Sequence, residues 1–171
     1  MTFEEYMAAV ELGHQQLELG IHGIHEKTFP KDPKVPPPPT FNNDAGVISN
    51  MAWGKFEHLS IIESISGSIR SNHYHKTDSH FMTVLDGEMH YYWLESSRPN
   101  SPAEMIEIKP TLKMIEVKRG ETVFTPPLVP HATYFPLATR IAALSRKKRT
   151  KEEHEADLVR VKILTSVTLA T

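Results

Sequence analysis

Three histidines lie within eight residues in the segment GSIRSNHYHKTDSHFMTVLDG, which begins at Gly67 and ends at Gly87. Side chains at positions i and i+2 of a β-strand point to the same face, so His73 and His75 can direct two imidazoles at one point. The polar break KTDS can turn the chain back and bring His80 to the same point. Neutral imidazole is the most common protein ligand for borderline transition metals. The spacing therefore predicts a metal site.

The chain has ten histidines, so the alternative is that histidine is simply frequent here. The scattered ones are expected on the surface: His14, His22, His25 and His154. Cysteine is absent, which excludes disulfides, thiolate ligands and a cysteine nucleophile. The ligands of any metal must then be nitrogen or oxygen atoms.

Length and charge bound the class of protein. The 171 residues suit one domain with a single core, and the net charge of −2 offers no basic field for a nucleic acid. No apolar run reaches the roughly 18 residues that span a bilayer, and the N-terminus lacks the apolar region of a signal peptide. We therefore expect a cytoplasmic protein that binds neither nucleic acid nor membrane.

The elements that must position the histidines begin after an N-terminal arm. Residues 2–19 read as an amphipathic helix, with Thr2 and Glu5 forming a capping box. Residues 29–40 hold six of the thirteen prolines, so this segment must be extended. It is either a stiff connector laid across the surface or, less in keeping with its position, an SH3-type ligand.

From Gly46 onward the pattern changes to short β-rich runs. The dipeptides Asp86-Gly87 and Arg119-Gly120 favour tight hairpins between them. Thr150 and Glu153 form a second capping box for a short helix, which the strand LVRVKIL follows. Many short strands at this spacing predict a sandwich or barrel. The candidate strands are VISNMAW, HLSIIESI, IRSNHYH, HFMTVLDG, EMHYYWLE, EMIEIK, KMIEVKRG, TVFTPP, HATYFPL and RIAALSR.

Two glycine-bounded motifs resemble those of the cupins. In the first, Gly67 is followed by the histidines at the cupin spacing, with His80 where glutamate usually stands. In the second, five residues separate Gly120 from Pro126, and His131 follows, with Leu128 in place of a glycine and Phe135 in place of an asparagine. The resemblance covers residues 46–146. It implies an all-β cupin barrel, a double-stranded β-helix or jelly roll, between an N-terminal helix and proline-rich arm (1–45) and a C-terminal helix and strand tail (147–171).

The cupin resemblance also implies a ligand set, which consists of His73, His75, His80 and His131. Four neutral imidazoles would leave a divalent ion its full charge, whereas a glutamate would reduce it. The ion would be a divalent transition metal such as zinc, iron, nickel or manganese. Two alternatives stay open: Asp78 replaces His80 as the third ligand, or the metal has been lost and the histidines act directly.

A narrower resemblance concerns chemistry. The runs IRSNHYHK, VFTPPLVPHA, ALSRKKR and ADLVRV are similar to those of small cupins related to dTDP-4-dehydrorhamnose 3,5-epimerase and nucleotide-sugar 3,4-ketoisomerases. In the epimerase, an arginine three residues before a histidine contacts the nucleotide diphosphate, and Arg70 and His73 have that spacing. Strict alternation places Arg70 on the opposite face from His73 unless a bulge intervenes. Lys76 is a second candidate contact to phosphate.

The resemblance implies a sugar or nucleotide-sugar isomerase or epimerase that transfers a proton beside a carbonyl. A histidine that binds metal cannot also be the free base, so the base must be another group. The candidates are Tyr134 and His90, and further His58 and Glu63. The alternatives are an iron-dependent dioxygenase, since an open site on histidines suits Fe(II), and a non-catalytic sugar-binding cupin. The expected assembly is a homodimer, with the N-terminal arm crossing to the second subunit.

Overall fold

The structure is a computed structural model, and it describes residues 2, 4–5, 8, 33–35, 40–49, 56–95 and 111–165. Strands dominate the described residues, as the β-rich runs predict. The elements are β1 (Thr40–Asn43), β2 (Gly46–Ser49), β3 (His58–Ser64), β4 (Ser68–His75), β5 (His80–Asp86), β6 (Glu88–Glu95), β7 (Thr111–Lys118), β8 (Thr122–Thr125), β9 (His131–Phe135), β10 (Thr139–Ser145), α1 (Lys151–Asp157) and β11 (Leu158–Arg160).

The strands form a jelly roll of two sheets and a separate two-stranded ribbon. One sheet has the order β3-β10-β5-β8, the other β11-β4-β9-β6-β7, and β1 pairs with β2. The strand pairs are antiparallel, and four of them are nested along the chain: β3 with β10, β4 with β9, β5 with β8 and β6 with β7. This architecture confirms the all-β sandwich class that the strand pattern predicts.

The core lies between the two sheets because the strands alternate. On β6, Met89, Tyr91 and Trp93 are buried, whereas the intervening side chains face outward. Each large apolar side chain buried in this way contributes roughly 1.5–3 kcal/mol. The core cluster consists of Met82, Val84, Met89, Tyr91, Trp93, Val117, Val123, Phe135, Ile141 and Ala143.

The two predicted hairpins are wrong. Strands β5 and β6, like β7 and β8, lie in different sheets, so Gly87 and Gly120 turn the chain from one sheet to the other. Gly87 has φ +84°, and a Cβ there would lie 2.5 Å from Thr139 Oγ1 and 2.6 Å from the carbonyl oxygen of Ala138. The glycine is needed for this corner rather than for a tight hairpin.

Parts of the N-terminal arm lie outside the described residues. Most of the predicted helix over 2–19 does so, although Thr2 and Glu5 make both hydrogen bonds of a capping box. Of the proline-rich segment, Pro33–Val35 lies beside β8, where the amide of Val35 donates to Thr122 and Pro33 accepts from Phe124. The candidate strand EMIEIK also lies outside the described residues.

The C-terminal segment is joined to the larger sheet. Helix α1 begins after Thr150, whose hydroxyl accepts from the amide of Glu153, as the capping box predicts. Strand β11 pairs with β4, the strand that carries His73 and His75, but ends at Arg160, short of the predicted LVRVKIL. Among the described residues, no helix is long and apolar enough to cross a membrane.

Candidate functional site

The structure brings the four predicted ligands together inside one end of the barrel. His73 and His75 lie on β4, His80 on β5 and His131 on β9. Ring centroids are 4.8 Å apart for His73 and His75, 4.8 Å for His73 and His131, 5.3 Å for His75 and His80, and 5.1 Å for His80 and His131. Imidazoles bound tetrahedrally to one zinc ion at about 2.1 Å have centroids about 5 Å apart. The spacing therefore fits rings around a single ion.

Buried nitrogens without partners support the same fit. Nε2 of His75, Nε2 of His131 and Nδ1 of His80 are buried and make no hydrogen bond. A buried polar atom without a partner costs about 1–3 kcal/mol, so such atoms call for a ligand. Neutral imidazole nitrogens are suitable ligands for a divalent transition metal. The residues present thus fit the ion that the resemblance implies.

Two of the rings are oriented by hydrogen bonds through their other nitrogen. His75 Nδ1 lies 3.1 Å from Asp157 Oδ2, and His131 Nδ1 lies 2.9 Å from the carbonyl oxygen of Val129. Both partners are acceptors, so both Nδ1 atoms carry the hydrogen and both Nε2 atoms keep a lone pair. This pairing is typical of metal-binding histidines, whose outer partners fix the tautomer and the ring orientation.

The four rings are held in the neutral form. Burial is the largest cause in each case, and it lowers the pKa of His73 to about 3. Burial and neighbouring histidines lower the pKa values of His80 and His131 well below the usual range. Burial and the Arg149 guanidinium lower the pKa of His75, although Asp78 and Asp157 act in the opposite direction. The lone pairs are therefore available at neutral pH.

Of the two departures from the second cupin motif, Leu128 lies beside the centre and Phe135 lies in the core. Leu128, which replaces the usual glycine, has φ +63°, the left-handed conformation that favours glycine. Its amide donates a hydrogen bond of 2.7 Å to the carbonyl oxygen of His75. Phe135, which replaces the usual asparagine, is fully buried in the core between the sheets. The backbone of the motif is thus retained with different side chains.

A bulge in β4 determines where Arg70 points. The register with β9 shifts between Ser71 and His73, and Ser71 and Asn72 both have positive φ. Arg70 is consequently paired with Thr133 and faces the same side as His131. Its guanidinium, however, donates to Ser64 Oγ and to a backbone carbonyl at 2.9 Å. These bonds hold it at the end of β4 away from the histidines.

Three of the four candidate bases from the sequence lie on outward faces of the sheets. His90 and Tyr134 are paired across β6 and β9 on the outer face, opposite the face that carries His131. Glu63 is exposed on β3 beside Arg140, and His58 Nε2 lies 2.7 Å from Ser60 Oγ. His90, Tyr134 and Glu63 thus face away from the histidine centre, whereas His58 faces the same side as His80, because Ser145 pairs with both.

A cleft of about 480 Å³ opens beside His75. Lys76 lines it, as does His154, whose ring centroid is 5.8 Å from that of His75. His154, which we expected as a scattered surface residue, is half-buried and lies beside His75. The lining combines four basic and four acidic residues with the two histidines: Lys76, Lys147, Lys148, Arg149, Glu57, Asp78, Glu153, Asp157, His75 and His154.

Asp157 is the residue of the site that sequence reasoning missed. Besides His75, its carboxylate accepts from the amide and hydroxyl of Thr77 and from the amide of Asp78, at 2.5 to 3.2 Å. Burial alone would raise the pKa of Asp157, but these hydrogen bonds outweigh it and hold the pKa below the ordinary value. The capping box that predicts α1 gives no signal of where the end of the helix docks.

Asp78, the alternative third ligand, is buried next to these groups. One oxygen of each of Asp78 and Asp157 and one nitrogen of His75 lie within 4.8 Å of one another. The Asp78 carboxylate accepts from the amide of Lys147 and lies 3.5 Å from the guanidinium of Arg149. Because both carboxylates are already occupied by donors, this arrangement favours a hydrogen-bonded support for His75 over a second ion.

No family model matches the sequence, and no curated protein matches it. Solved structures nevertheless share the fold, among them dTDP-4-dehydrorhamnose 3,5-epimerases and sugar 3,4-ketoisomerases. A dTDP-4-dehydrorhamnose 3,5-epimerase from Elizabethkingia anophelis is 17% identical over 78% of this chain and 76% of its own, with a TM-score of 0.58. A TDP-fucose-3,4-ketoisomerase from Campylobacter jejuni is 12% identical over 71% and 83%, with a TM-score of 0.55.

A mutant 3,4-ketoisomerase from Thermoanaerobacterium thermosaccharolyticum, in complex with TDP-4-keto-6-deoxyglucose, is 13% identical over 71% of this chain and 82% of its own, with a TM-score of 0.52. At these identities the likeness shows the fold. This fold is shared with nucleotide-sugar epimerases and ketoisomerases, which confirms the resemblance drawn from the runs IRSNHYHK, VFTPPLVPHA, ALSRKKR and ADLVRV.

Proposed function

We propose that this protein is a sugar or nucleotide-sugar isomerase or epimerase that transfers a proton beside a carbonyl, and that its four-histidine centre binds a divalent transition metal. The observation that carries the proposal is the position of His75. Its ring belongs to the histidine cluster, is held by Asp157 and borders the cleft. A substrate in the cleft would therefore lie against the centre.

The ion would be held by His73, His75, His80 and His131. When bound with one further coordination position beyond the four rings, it would polarise a carbonyl oxygen of the substrate and so favour loss of the adjacent proton. The chain contributes the neutral state of the rings, through burial, and the orientation of two of them, through Asp157 and Val129. These contributions hold whichever divalent ion is bound.

With the four histidines engaged, His154 is the candidate base. It is the other histidine of the cleft, and burial lowers its pKa, so that the ring is neutral and able to accept a proton at neutral pH. In the alternative without metal, His75 is the base, because Asp157 holds its Nδ1 hydrogen and leaves Nε2 free. The two assignments name different residues and can be separated.

The cations of the cleft support an anionic substrate. Lys76, Lys147, Lys148 and Arg149 line it together with four acidic residues, of which Asp78, Asp157 and Glu153 already accept hydrogen bonds. Lysine ammonium and arginine guanidinium groups are the usual contacts of a diphosphate. The sugar diphosphate of a nucleotide sugar suits this lining. Lys76 keeps its proposed role as a substrate contact, whereas Arg70 would contact a substrate only if the substrate extended to the end of β4.

The test is proton exchange in D₂O with TDP-4-keto-6-deoxyglucose, followed by NMR, together with elemental analysis of the protein. We expect deuterium at a carbon next to the ketone. His154→Asn should slow the exchange at least tenfold with the metal content unchanged, whereas Glu155→Gln on the same helix should leave it unchanged. Exchange that survives His154→Asn but not His75→Asn would favour the metal-free assignment.

No exchange with any 4-keto nucleotide sugar would contradict the proposed function. Bound iron together with oxygen uptake would instead support the dioxygenase. Tight sugar binding without exchange would support a non-catalytic cupin. Mass in solution tests the homodimer separately, since the chemistry does not depend on it.

A further inference from the structure

A second group of ligand-type side chains lies on the outer face of the larger sheet. Because Met89 and Tyr91 point into the core, Glu88 and His90 on the same strand point outward. His90 pairs directly with Glu116 on β7 and with Tyr134 on β9. The sheet thus sets an imidazole and two carboxylates side by side, and the proposed chemistry of the barrel uses none of them.

The distances are those of groups that can share one ion. One oxygen of Glu88, one nitrogen of His90 and one oxygen of Glu116 lie within 4.8 Å of one another. His90 Nε2 lies 2.9 Å from Glu88 Oε1, and the ring of Tyr134 lies 5.7 Å from that of His90 on the other side. Glu88 and His90 are half-buried and Glu116 is exposed. Two ligands are therefore fixed by the sheet, and one side of the group is open to water.

The charge of the group favours a cation. The two carboxylates bring two negative charges, and neither forms an ion pair with lysine or arginine in the described part of the chain. Lys118 pairs with Glu88 across the strands and also acts on Glu121. One imidazole with two carboxylates is a ligand set for zinc and similar borderline ions.

We propose that Glu88, His90 and Glu116 form a second divalent-metal site, with water completing the coordination. It is separate from the histidine centre, because His90 lies on the opposite face of the sheet from His131. The two sites share no ligand, so they can be removed one at a time. The competing explanation is a simple ion pair between His90 and Glu88.

The experiment counts the Zn²⁺ ions bound per chain by equilibrium dialysis and elemental analysis. Glu116→Gln and His90→Gln should each bind one ion fewer than the unaltered protein, two falling to one or, if the histidine centre is empty, one falling to none. Glu63→Gln is the matched control, since this glutamate is exposed on the other sheet. Glu116 is exposed, so its variant keeps the test valid even if His90→Gln fails to fold.

A second measurement separates a metal site from an ion pair. In protein with ¹⁵N-labelled histidine, the ring signals of His90, identified by their absence in His90→Gln, should shift when Zn²⁺ is added. The shift should weaken in Glu116→Gln and persist in Glu63→Gln. An unchanged zinc count in both variants, or His90 signals that do not move, would overturn the proposal, whatever the histidine centre binds.

Discussion

Replacing Asp157 with asparagine is expected to lower the free energy of unfolding by about 2 kcal/mol. The amide oxygen of asparagine can still accept from Thr77, as Asp157 Oδ1 does. The amide nitrogen would face His75 Nδ1 and the amide of Asp78, which are both donors to Oδ2. Two donors would lose their acceptor, at about 1 kcal/mol each.

The Asp157→Asn substitution should also weaken metal binding at the histidine centre. Without a carboxylate to hold the hydrogen on Nδ1, His75 would no longer be fixed with its Nε2 lone pair free. Loss of such a partner typically weakens metal binding 10- to 100-fold. Affinity measured by competition with a chelator, and stability measured by urea unfolding, would show both effects. Glu155→Gln, on the exposed side of the same helix, should change neither.

The contribution of Asp157 to stability should depend on pH in a definite direction. Because the pKa of Asp157 is lowered in the folded protein, its contribution is fully present above the ordinary value of 3.8 and is lost as the pH falls through the lowered value. Stability of the unaltered protein should therefore drop more steeply in that acid range than that of Asp157→Asn. Equal metal affinity and parallel acid profiles for the two proteins would refute the role assigned to Asp157.

Three further outcomes are expected. His131→Ala should lose the ion of the histidine centre, which elemental analysis would show, and full occupancy would remove this residue from the ligand set. Gly87→Ala should cost about 3 kcal/mol or prevent folding, because its Cβ would meet Thr139 and the preceding carbonyl oxygen at 2.5 and 2.6 Å; an unchanged melting temperature would contradict this corner geometry. A nucleoside diphosphate at a hundredfold excess over Kd should stabilise the protein by about 2.7 kcal/mol. Lys76→Ala should reduce that stabilisation more than Arg70→Ala. The reverse order would place the diphosphate at the Ser68 end of β4, away from the histidines.

The sequence predicted the histidine centre to the extent that spacing along a strand determines which way the side chains point. Two histidines at i and i+2 on one strand must share a face, and the motif around Gly120 indicated a further strand that carries His131. Arg70 was not predictable, because a bulge at two residues with positive φ reverses the alternation between it and His73. No simple alternation rule anticipates a bulge of this kind.

Contacts between residues far apart in the chain could not be predicted from the sequence either. Asp157 approaches His75 from 82 positions away, through a helix whose start could be predicted but whose docking could not. His90 and Tyr134 were selected because their side chains can act as bases. Whether a side chain faces the core or the outside depends on which sheet its strand joins. The same cause explains the wrong hairpins, since Gly87 and Gly120 resemble hairpin turns and instead mark corners between sheets.

The nested strand pairing has a consequence for how the protein folds. The innermost pair, β6 and β7, closes the shortest stretch of chain, and each further pair, ending with β3 and β10, encloses the one before. Since the entropy lost in closing a loop grows with its length, closing inner pairs first lowers the cost of the outer ones. The four histidines lie on β4, β5 and β9. They therefore meet only when β4 pairs with β9, the third pair of the series. Ion uptake during refolding should therefore lag behind the circular dichroism signal of the sheets.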